Sequence, residues 1–198
     1  MAVFFTSDTH FGHASVIRNC ERPFASVEEM DEALIARWNA AVSPRDTVYH
    51  LGDFACLPTR EASSYIDRLH GEIHLVAGNH DKQMLREHAG RFASVSLIEE
   101  VMIGGQLLVL CHFPMREWDC AYFGSWHLHG HVHGRMNHDP VGHSMDVGVD
   151  SHEDYRPWSF EEIVEIMGAR VSPFEPERRP PVRKTIRGPL PPGNPGTR

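Results

Sequence analysis

The amino-acid sequence predicts an α/β domain in which short buried strands alternate with amphipathic helices. Apolar runs rich in β-prone residues recur along the chain, and the segments between them carry apolar residues at helical spacing. Apolar residues make up 41% of the 198 residues and charged residues 23%, as in an ordinary globular protein. The longest apolar runs, 2–5 and 107–111, are far too short to cross a bilayer.

The individual elements follow from these patterns in chain order. The predicted strands are 3–6, 47–51, 73–77, 95–103, 106–111, 126–130 and 144–149. Capping boxes at Ser26-x-x-Glu29 and Ser159-x-x-Glu162 begin two helices, the second of which extends to Met167. Two further helices are predicted at 60–69 and 82–88. Gly104-Gly105 is a two-residue turn, so the strands on either side of it are expected to form a β-hairpin.

The end of the chain differs in composition from the rest. Residues 172–198 contain eight of the 14 prolines and few apolar residues. Six basic and two acidic residues give this stretch a charge of +4, so the rest of the −8 chain carries −12. We therefore predict one domain over 1–171 and a flexible, Pro-rich basic tail over 172–198. The acidic domain argues against broad nucleic-acid binding, because such binding requires clustered Lys and Arg.

Cysteine usage and the N-terminus bear on the cellular location. The cysteines lie far apart and form no CxxC pair; they are Cys20, Cys56, Cys111 and Cys120. Such spacing is typical of reduced thiols. The N-terminus lacks a basic segment followed by a long apolar stretch, so a signal peptide is not expected. These features predict a cytoplasmic protein with no membrane partner.

Five predicted strands each end in a short cluster of side chains that can bind metals. The clusters are Asp8-Thr9-His10, Gly52-Asp53, Gly78-Asn79-His80-Asp81, Cys111-His112 and Gly130-His131-Val132-His133. Ligands at the ends of neighbouring strands converge on one edge of a sheet. Taken singly, each residue is better explained as a helix cap, a turn residue or a core histidine. Caps and turns do not explain five successive clusters, so together they predict a metal site.

At these residues the chain resembles the calcineurin-like metallophosphoesterase superfamily. The pattern of that superfamily is D-x-H, G-D, G-N-H-[DE], H and G-H-x-H, and all five blocks occur here in order between Asp8 and His133. The segment from His10 to Phe24 is similar to a small bacterial and phage branch of predicted phosphoesterases. The resemblance implies a four-layer αββα sandwich, with two stacked mixed β-sheets flanked by helices.

The resemblance also implies two adjacent divalent metal ions. Manganese is the expected metal, and iron, zinc and nickel bind the same donor types. Asp8, His10 and His133 would hold the first ion. Asn79, His112 and His131 would hold the second, and Asp53 would bridge the two. His80 would stay unligated and act as the general acid, while a hydroxide that bridges the metals attacks phosphorus in line.

Two further residues are expected at the site, and one position differs from the pattern of better-known branches of the superfamily. His13 and Arg18 would lie near the first metal, where they are candidates to contact a substrate phosphate. Cys56 stands three residues beyond Asp53, where Ser/Thr phosphatases carry an Asp that orients the catalytic His and purple acid phosphatases carry a Tyr. This departure argues against both branches and leaves the partner of His80 open, with Asp81 as one substitute.

The resulting functional prediction is an enzyme, a dimetal phosphoesterase acting on a phosphodiester or phosphomonoester of a small molecule or nucleotide. One alternative is a metal-dependent nuclease that acts on nucleic-acid ends, to which the basic tail would contribute. Another is a catalytically silent interaction scaffold, which would not need the complete ligand set. Trp118, Tyr122 and Trp126 would either form an aromatic wall that stacks on a nucleobase or pack in the core and at its rim; packing is the simpler interpretation.

Overall fold

Two mixed β-sheets stacked face to face form the framework of the protein. The computed structural model describes residues 1–56, 59–171 and Phe174. Together with flanking helices, the two sheets confirm the predicted α/β class and agree with the sandwich that the resemblance implied. The tail expected at 172–198 lies outside the described residues apart from Phe174.

The strands divide between the sheets in an order that differs from their order in the chain. They are β1 (Val3–Thr6), β2 (Thr47–His50), β3 (Glu72–Val76), β4 (Ser94–Ser96), β5 (Ile98–Ile103), β6 (Gln106–Cys111), β7 (Trp126–His129), β8 (Ser144–Asp146) and β9 (Trp158–Ser159). The first sheet has the order β4-β3-β2-β1-β9, with only β9 antiparallel to its neighbour. The second has the order β5-β6-β7-β8, with only β5 antiparallel.

The prediction of one continuous strand over 95–103 is wrong, because the chain passes from the first sheet to the second within this segment. Ser94–Ser96 pairs with β3 in the first sheet, whereas Ile98–Ile103 pairs with β6 in the second. Leu97 lies between them and is 75% exposed. Val95, Leu97 and Ile98 continue the apolar residues across the crossing, so the sequence shows no break there. The predicted hairpin is present, with positive φ at both Gly104 and Gly105.

Among the described residues, five α-helices flank the sheets. They are α1 (Ala14–Asn19), α2 (Val27–Ala41), α3 (Thr59–Ile66), α4 (Lys82–His88) and α5 (Phe160–Gly168). The short helix α1 is not predicted from the sequence because its six residues are too few to show a period and no side chain caps it. The capping box at Ser159 is formed on both sides, as predicted. Within the described part of the chain, no helix is both long and apolar enough to span a membrane.

Two apolar cores lie on opposite faces of the first sheet. Phe4 contributes to an outer core, which packs the sheet against α1–α4, and the next residue, Phe5, contributes to an inter-sheet core. Successive side chains of a strand point to opposite faces, so β1 serves both cores. Helix α5 adds Ile163 and Met167 to the inter-sheet core. Burial on both faces leaves the ends of the parallel strands as the places where polar side chains collect.

Glu162 links the start of α5 to the segment before it, and this predicts a pH-dependent contribution to stability. Its carboxylate accepts hydrogen bonds from the Arg156 guanidinium and from the backbone N–H of Ser159. The hydrogen bonds from Arg156 lower the pKa of Glu162 from 4.5 to about 2. The ionised carboxylate therefore stabilises the fold above about pH 4.5, and that stabilisation is lost as the pH falls towards 2.

We expect Glu162→Gln to lower the Tm of the apoprotein at pH 6 and to lower it progressively less towards pH 3. Thermal unfolding of both proteins across this range measures the difference directly. Glu165→Gln, on an exposed position of the same helix, is the matched control and should cost little at any pH. A Tm difference that stays constant from pH 6 to pH 3 would contradict the assigned role of the carboxylate.

Candidate metal centre

The seven predicted ligands meet where β1, β2, β3, β6 and β7 end. The two sheets are joined at this point by short contacts between their loops. The Asp8 carboxylate after β1 accepts a hydrogen bond from the backbone N–H of His131 after β7, at 2.9 Å. Nδ1 of His112, which follows β6, lies 2.7 Å from the carbonyl oxygen of Leu51, which follows β2. The structure thus brings the strand-end clusters of both sheets to one place, as the sequence predicts.

Asp8, His10 and His133 form the first group of potential ligands. The Nε2 atoms of His10 and His133 lie 3.7 and 3.8 Å from the same carboxylate oxygen, Oδ1 of Asp8. The three ligand atoms are all within 4.8 Å of one another. A single cation between them would be reached by one carboxylate oxygen and two imidazole nitrogens, a donor set suited to first-row divalent metals.

Asp53, His112 and His131 form the second group, again with ligand atoms within 4.8 Å of one another. Oδ2 of Asp53 is 3.5 Å from Nε2 of His112, and the side-chain oxygen of Asn79 is 3.1 Å from that same nitrogen. Oδ2 of Asp53 is also 3.7 Å from Nε2 of His10, which belongs to the first group. The Asp53 carboxylate therefore lies between the two groups.

The Asp8 carboxylate provides a test of whether a cation fits. Its Oδ2 accepts hydrogen bonds from the Ser7 hydroxyl at 2.6 Å and from the His131 backbone. Its Oδ1 is buried and has no hydrogen-bond partner among the described residues. Burial raises the pKa of Asp8 to about 7. A metal ion would supply the missing partner of Oδ1 and would favour the ionised carboxylate, so these residues fit a metal.

The backbone at the centre adopts conformations that non-glycine residues rarely take. Five of the eight non-glycine residues with positive φ in the described chain are predicted ligands: Asp8, His10, Asp53, His131 and His133. Each such residue costs of the order of 1 kcal/mol or more, and such residues cluster at functional sites. Left-handed backbone therefore coincides with the predicted ligands in the loops after β1, β2 and β7.

Two glycines of the motifs are required by close approach rather than by a turn. A Cβ atom on Gly78 would clash with the Asp53 carboxylate, and a Cβ on Gly130 would clash with Ser7 and Asp8. Any larger residue at either position would displace a carboxylate of the centre. The glycines that precede Asn79 and His131 are therefore required for the carboxylates of Asp53 and Asp8 to keep their positions.

Asp81 has a different role from the one expected. Its carboxylate accepts hydrogen bonds from the backbone N–H groups of Asp53, Phe54 and Gly78, at 2.7–2.9 Å. These bonds tie the loop after β2 to the loop after β3. The hypothesis that Asp81 orients His80 is therefore corrected: in the described part of the chain, the hydrogen bonds of Asp81 go to backbone amides.

His80 lies at the surface of the centre. Its side chain is 43% exposed, and its Nε2 is 4.0 Å from Oδ2 of Asp53. The backbone N–H of His80 donates to the other oxygen of Asp53 at 2.9 Å, which fixes the position of the residue. His80 lines a cavity of about 280 Å³ together with residues of both ligand groups.

Only one of the two predicted substrate contacts is at the cavity. His13 lines it, and Nδ1 of His13 is 3.4 Å from Nδ1 of His10. Arg18 is exposed on α1 and is not among the described residues that line the cavity. Arg135, which the sequence analysis did not select, provides a guanidinium there instead. It lies two residues beyond His133, and that proximity was the only signal available in the sequence.

Arg22 and Asp150 form a buried network behind the first ligand group, which the sequence analysis missed. The Arg22 guanidinium donates to both oxygens of Asp150, at 2.7 and 2.8 Å, and to the backbone carbonyl of Asp8 at 2.6 Å. Oδ2 of Asp150 is 2.6 Å from Nδ1 of His133. Because Nδ1 carries the proton in this bond, the opposite nitrogen of His133 faces Asp8 with a free lone pair once the ring is neutral.

The pKa values of the two histidines of the first group move in opposite directions. Burial lowers the pKa of His10 to about 2, so its ring stays neutral. Burial also acts to lower the pKa of His133, but the hydrogen bond to Asp150 and the nearby Asp8 outweigh it and raise the pKa to about 10. Without a cation, His133 therefore carries the positive charge that the buried carboxylates require. A metal ion would replace this proton.

The three candidate aromatic residues do not form a wall at the centre. Trp118 is buried against Val109 on the outer side of the second sheet, and Tyr122 contacts Phe174. Trp126 belongs to the inter-sheet core. Packing is therefore the correct interpretation for these residues. Phe113, which the sequence did not indicate, does contact two predicted ligands, His112 and His131.

Comparisons with known proteins agree with the fold. A family model described as the calcineurin-like phosphoesterase superfamily domain matches residues 1–143. An uncharacterized protein of Methanocaldococcus jannaschii is 35% identical over 177 residues, covering 83% of this chain and 90% of that protein. The gene 66 protein of Mycobacterium phage D29 is 29% identical over 185 residues, covering 78% and 91%. A solved structure of a protein of unknown function from Aquifex aeolicus is similar with a TM-score of 0.67 and 26% identity, covering 83% and 98%.

Asp150 is expected to set the affinity of the first group for metal. We predict that Asp150→Asn weakens Mn²⁺ binding about 10- to 100-fold, because the variant no longer holds the His133 ring by a charged hydrogen bond. Calorimetric titration of the metal-free protein measures this. Asp154→Asn is the control, since Asp154 is exposed and pairs only loosely with Arg156. Equal Mn²⁺ affinity in the Asp150 variant and the parent protein would contradict the prediction.

Proposed function

The chain belongs to the calcineurin-like phosphoesterase superfamily, and from this premise we propose that it is a dimetal enzyme that hydrolyses a phosphodiester or phosphomonoester. The observation that carries the proposal is the position of Asp53 between two groups of ligands, with His80 exposed beside it. A carboxylate shared by two cation sites, next to an unligated histidine at the surface, is an arrangement suited to phosphoryl transfer.

The residues that would hold the metals are the members of the two groups together with Asn79. Asp8, His10 and His133 would hold one ion, Asn79, His112 and His131 the other, and Asp53 both. Two bound divalent cations would polarise the phosphoryl oxygens and supply a water of lowered pKa. The mixture of carboxylate, amide and imidazole donors supports Mn²⁺, with iron, zinc and nickel as alternatives.

His80 is the residue proposed to move a proton. Its exposed ring can reach the oxygen that leaves phosphorus, and its Nε2 would hold the proton that this oxygen takes up. The hydrogen bond from its backbone to Asp53 fixes the loop, so the ring stays beside the metal centre. His80 would therefore act as the general acid.

The cavity supports a substrate whose phosphate reaches the centre from solvent. Its volume of about 280 Å³ is enough for a phosphoryl group and part of the attached ester. His13 and Arg135 stand at its wall, where they can donate hydrogen bonds to phosphoryl oxygens. The domain carries strong negative charge, so the metals would supply most of the positive field that attracts an anionic substrate.

A general acid at His80 predicts that the effect of its removal depends on the leaving group. His80→Gln should lower kcat about 10²- to 10⁴-fold for an alkyl ester, whose leaving oxygen must be protonated. The loss should be much smaller for a p-nitrophenyl ester of the same class, because nitrophenolate leaves without a proton. Steady-state hydrolysis of both esters by the Mn²⁺-loaded protein measures this.

The control for this experiment is His74→Gln, since His74 lies in β3, where it contacts Ser94 and Glu72. An equal loss for both esters in the His80 variant would contradict the general-acid role. Failure of the parent protein to hydrolyse any phosphate ester with Mn²⁺, Fe²⁺, Zn²⁺ or Ni²⁺ would contradict the proposed function as a whole.

A further inference from the structure

Phe113 places an exposed aromatic ring directly beside the metal centre. The residue follows His112 at the end of β6, and its side chain is 45% exposed. The centre of its ring lies 4.9 Å from the ring of His112 and 4.7 Å from the ring of His131. Both imidazoles belong to the second ligand group. The exposed ring thus stands beside the second ligand group, next to the described residues that line the cavity rather than among them.

The ring is held in place although much of it faces solvent. Phe113 meets His112 and His131 at steep interplanar angles, 77° and 63°, so each imidazole supports it through an edge-to-face contact. The imidazole of His112 is itself fixed, because its Nδ1 lies 2.7 Å from the carbonyl oxygen of Leu51. A ring held in this way loses little freedom when a second flat group packs on it, which favours binding.

The position of Phe113 distinguishes it from the other large apolar side chains that are exposed in the described chain. Leu97, Ile98 and Met102 lie on or beside the edge strand β5. Phe123 lies near the opposite end of β6, because its neighbour Gly124 accepts a hydrogen bond from the side chain of Gln106. Phe113 is exposed and also contacts two predicted ligands. A phenyl ring that served only to stabilise the fold would not need to be exposed at this position.

We propose that Phe113 is a stacking platform for an aromatic ring carried by the phosphate-ester substrate, either a nucleobase or an aryl group on the ester oxygen. The proposal rests on the proposed function, because the metal centre must hold the phosphate for the ring to come within reach. Stacking of a base on an aromatic side chain commonly changes affinity about 5- to 150-fold and tolerates every base, since each has a π face. Phe113 would therefore select aromatic esters over alkyl esters.

The test compares three probes that share a phosphate and differ in what it carries. Adenosine 5′-monophosphate carries a base on a ribose, phenyl phosphate carries a ring on the ester oxygen, and ribose 5-phosphate carries no aromatic group. Calorimetry on the Mn²⁺-loaded His80→Gln protein gives the Kd of each probe, under conditions in which a phosphate-release assay shows no hydrolysis of that probe. The same measurement is made after adding Phe113→Ala, Phe113→Leu or Phe113→Tyr to that protein, and Mn²⁺ affinity is measured for every variant.

Phe113→Ala and Phe113→Leu should weaken binding of at least one aromatic probe about fivefold or more, while ribose 5-phosphate binding stays within about twofold. Phe113→Tyr should retain tight binding, because it keeps the π face. A loss confined to adenosine 5′-monophosphate assigns the platform to a nucleobase, and a loss confined to phenyl phosphate assigns it to an aryl ester. Phe123→Ala, which removes a more exposed ring far from the centre, should change no Kd.

Two results would overturn the proposal while leaving the proposed function intact. One is an equal change for all three probes, or a loss of Mn²⁺ affinity in Phe113→Ala, either of which would show that the ring only supports the ligands. The other is unchanged binding of every probe in a protein that hydrolyses phosphate esters. If the parent protein neither binds these phosphates nor hydrolyses any ester, the platform and the proposed function fail together.

Discussion

The buried carboxylate of Asp8 is the constraint on which the rest of the site depends. One of its oxygens joins the two sheets, because it accepts hydrogen bonds from Ser7 after β1 and from the backbone of His131 after β7. The other oxygen is buried, has no hydrogen-bond partner in the described chain and is approached by two imidazoles. A negative charge in such a place must be neutralised by a proton or a cation. The two sheets thus meet at a buried carboxylate whose charge a bound metal ion would neutralise.

The surroundings of Asp8 show how the fold maintains this arrangement. Arg22 pairs with Asp150 and also donates to the backbone carbonyls of Asp8 and Thr9, so one buried guanidinium organises the loop after β1. Asp81 performs the equivalent task for the loops after β2 and β3, through three backbone amides. These bonds offset the cost of the left-handed backbone at the ligands. Rigid loops with strained backbone are what a site needs if its ligands are to be in position before a cation binds.

The ligands could be predicted from the sequence because each follows an apolar strand within a short motif. A strand end is a local feature, and parallel strands bring their ends together whatever the order of pairing. Arg22 and Asp150 could not be predicted, because they are 128 residues apart and neither has a local pattern. Arg18 is predicted near the first metal, but it lies exposed on the short helix α1 and is not among the described residues that line the cavity. The change of sheet at Leu97 was missed because composition does not record which neighbour a strand pairs with.

The number of metal ions that one chain binds tests the central claim most directly. The protein is stripped with a chelator, saturated with Mn²⁺, passed through a desalting column and measured by elemental analysis against its concentration. Two ligand groups that share Asp53 predict two ions per chain. At most one ion per chain under saturating Mn²⁺, Fe²⁺, Zn²⁺ or Ni²⁺ would show that Asp53 does not serve two cation sites, and the function inferred from that arrangement would not stand.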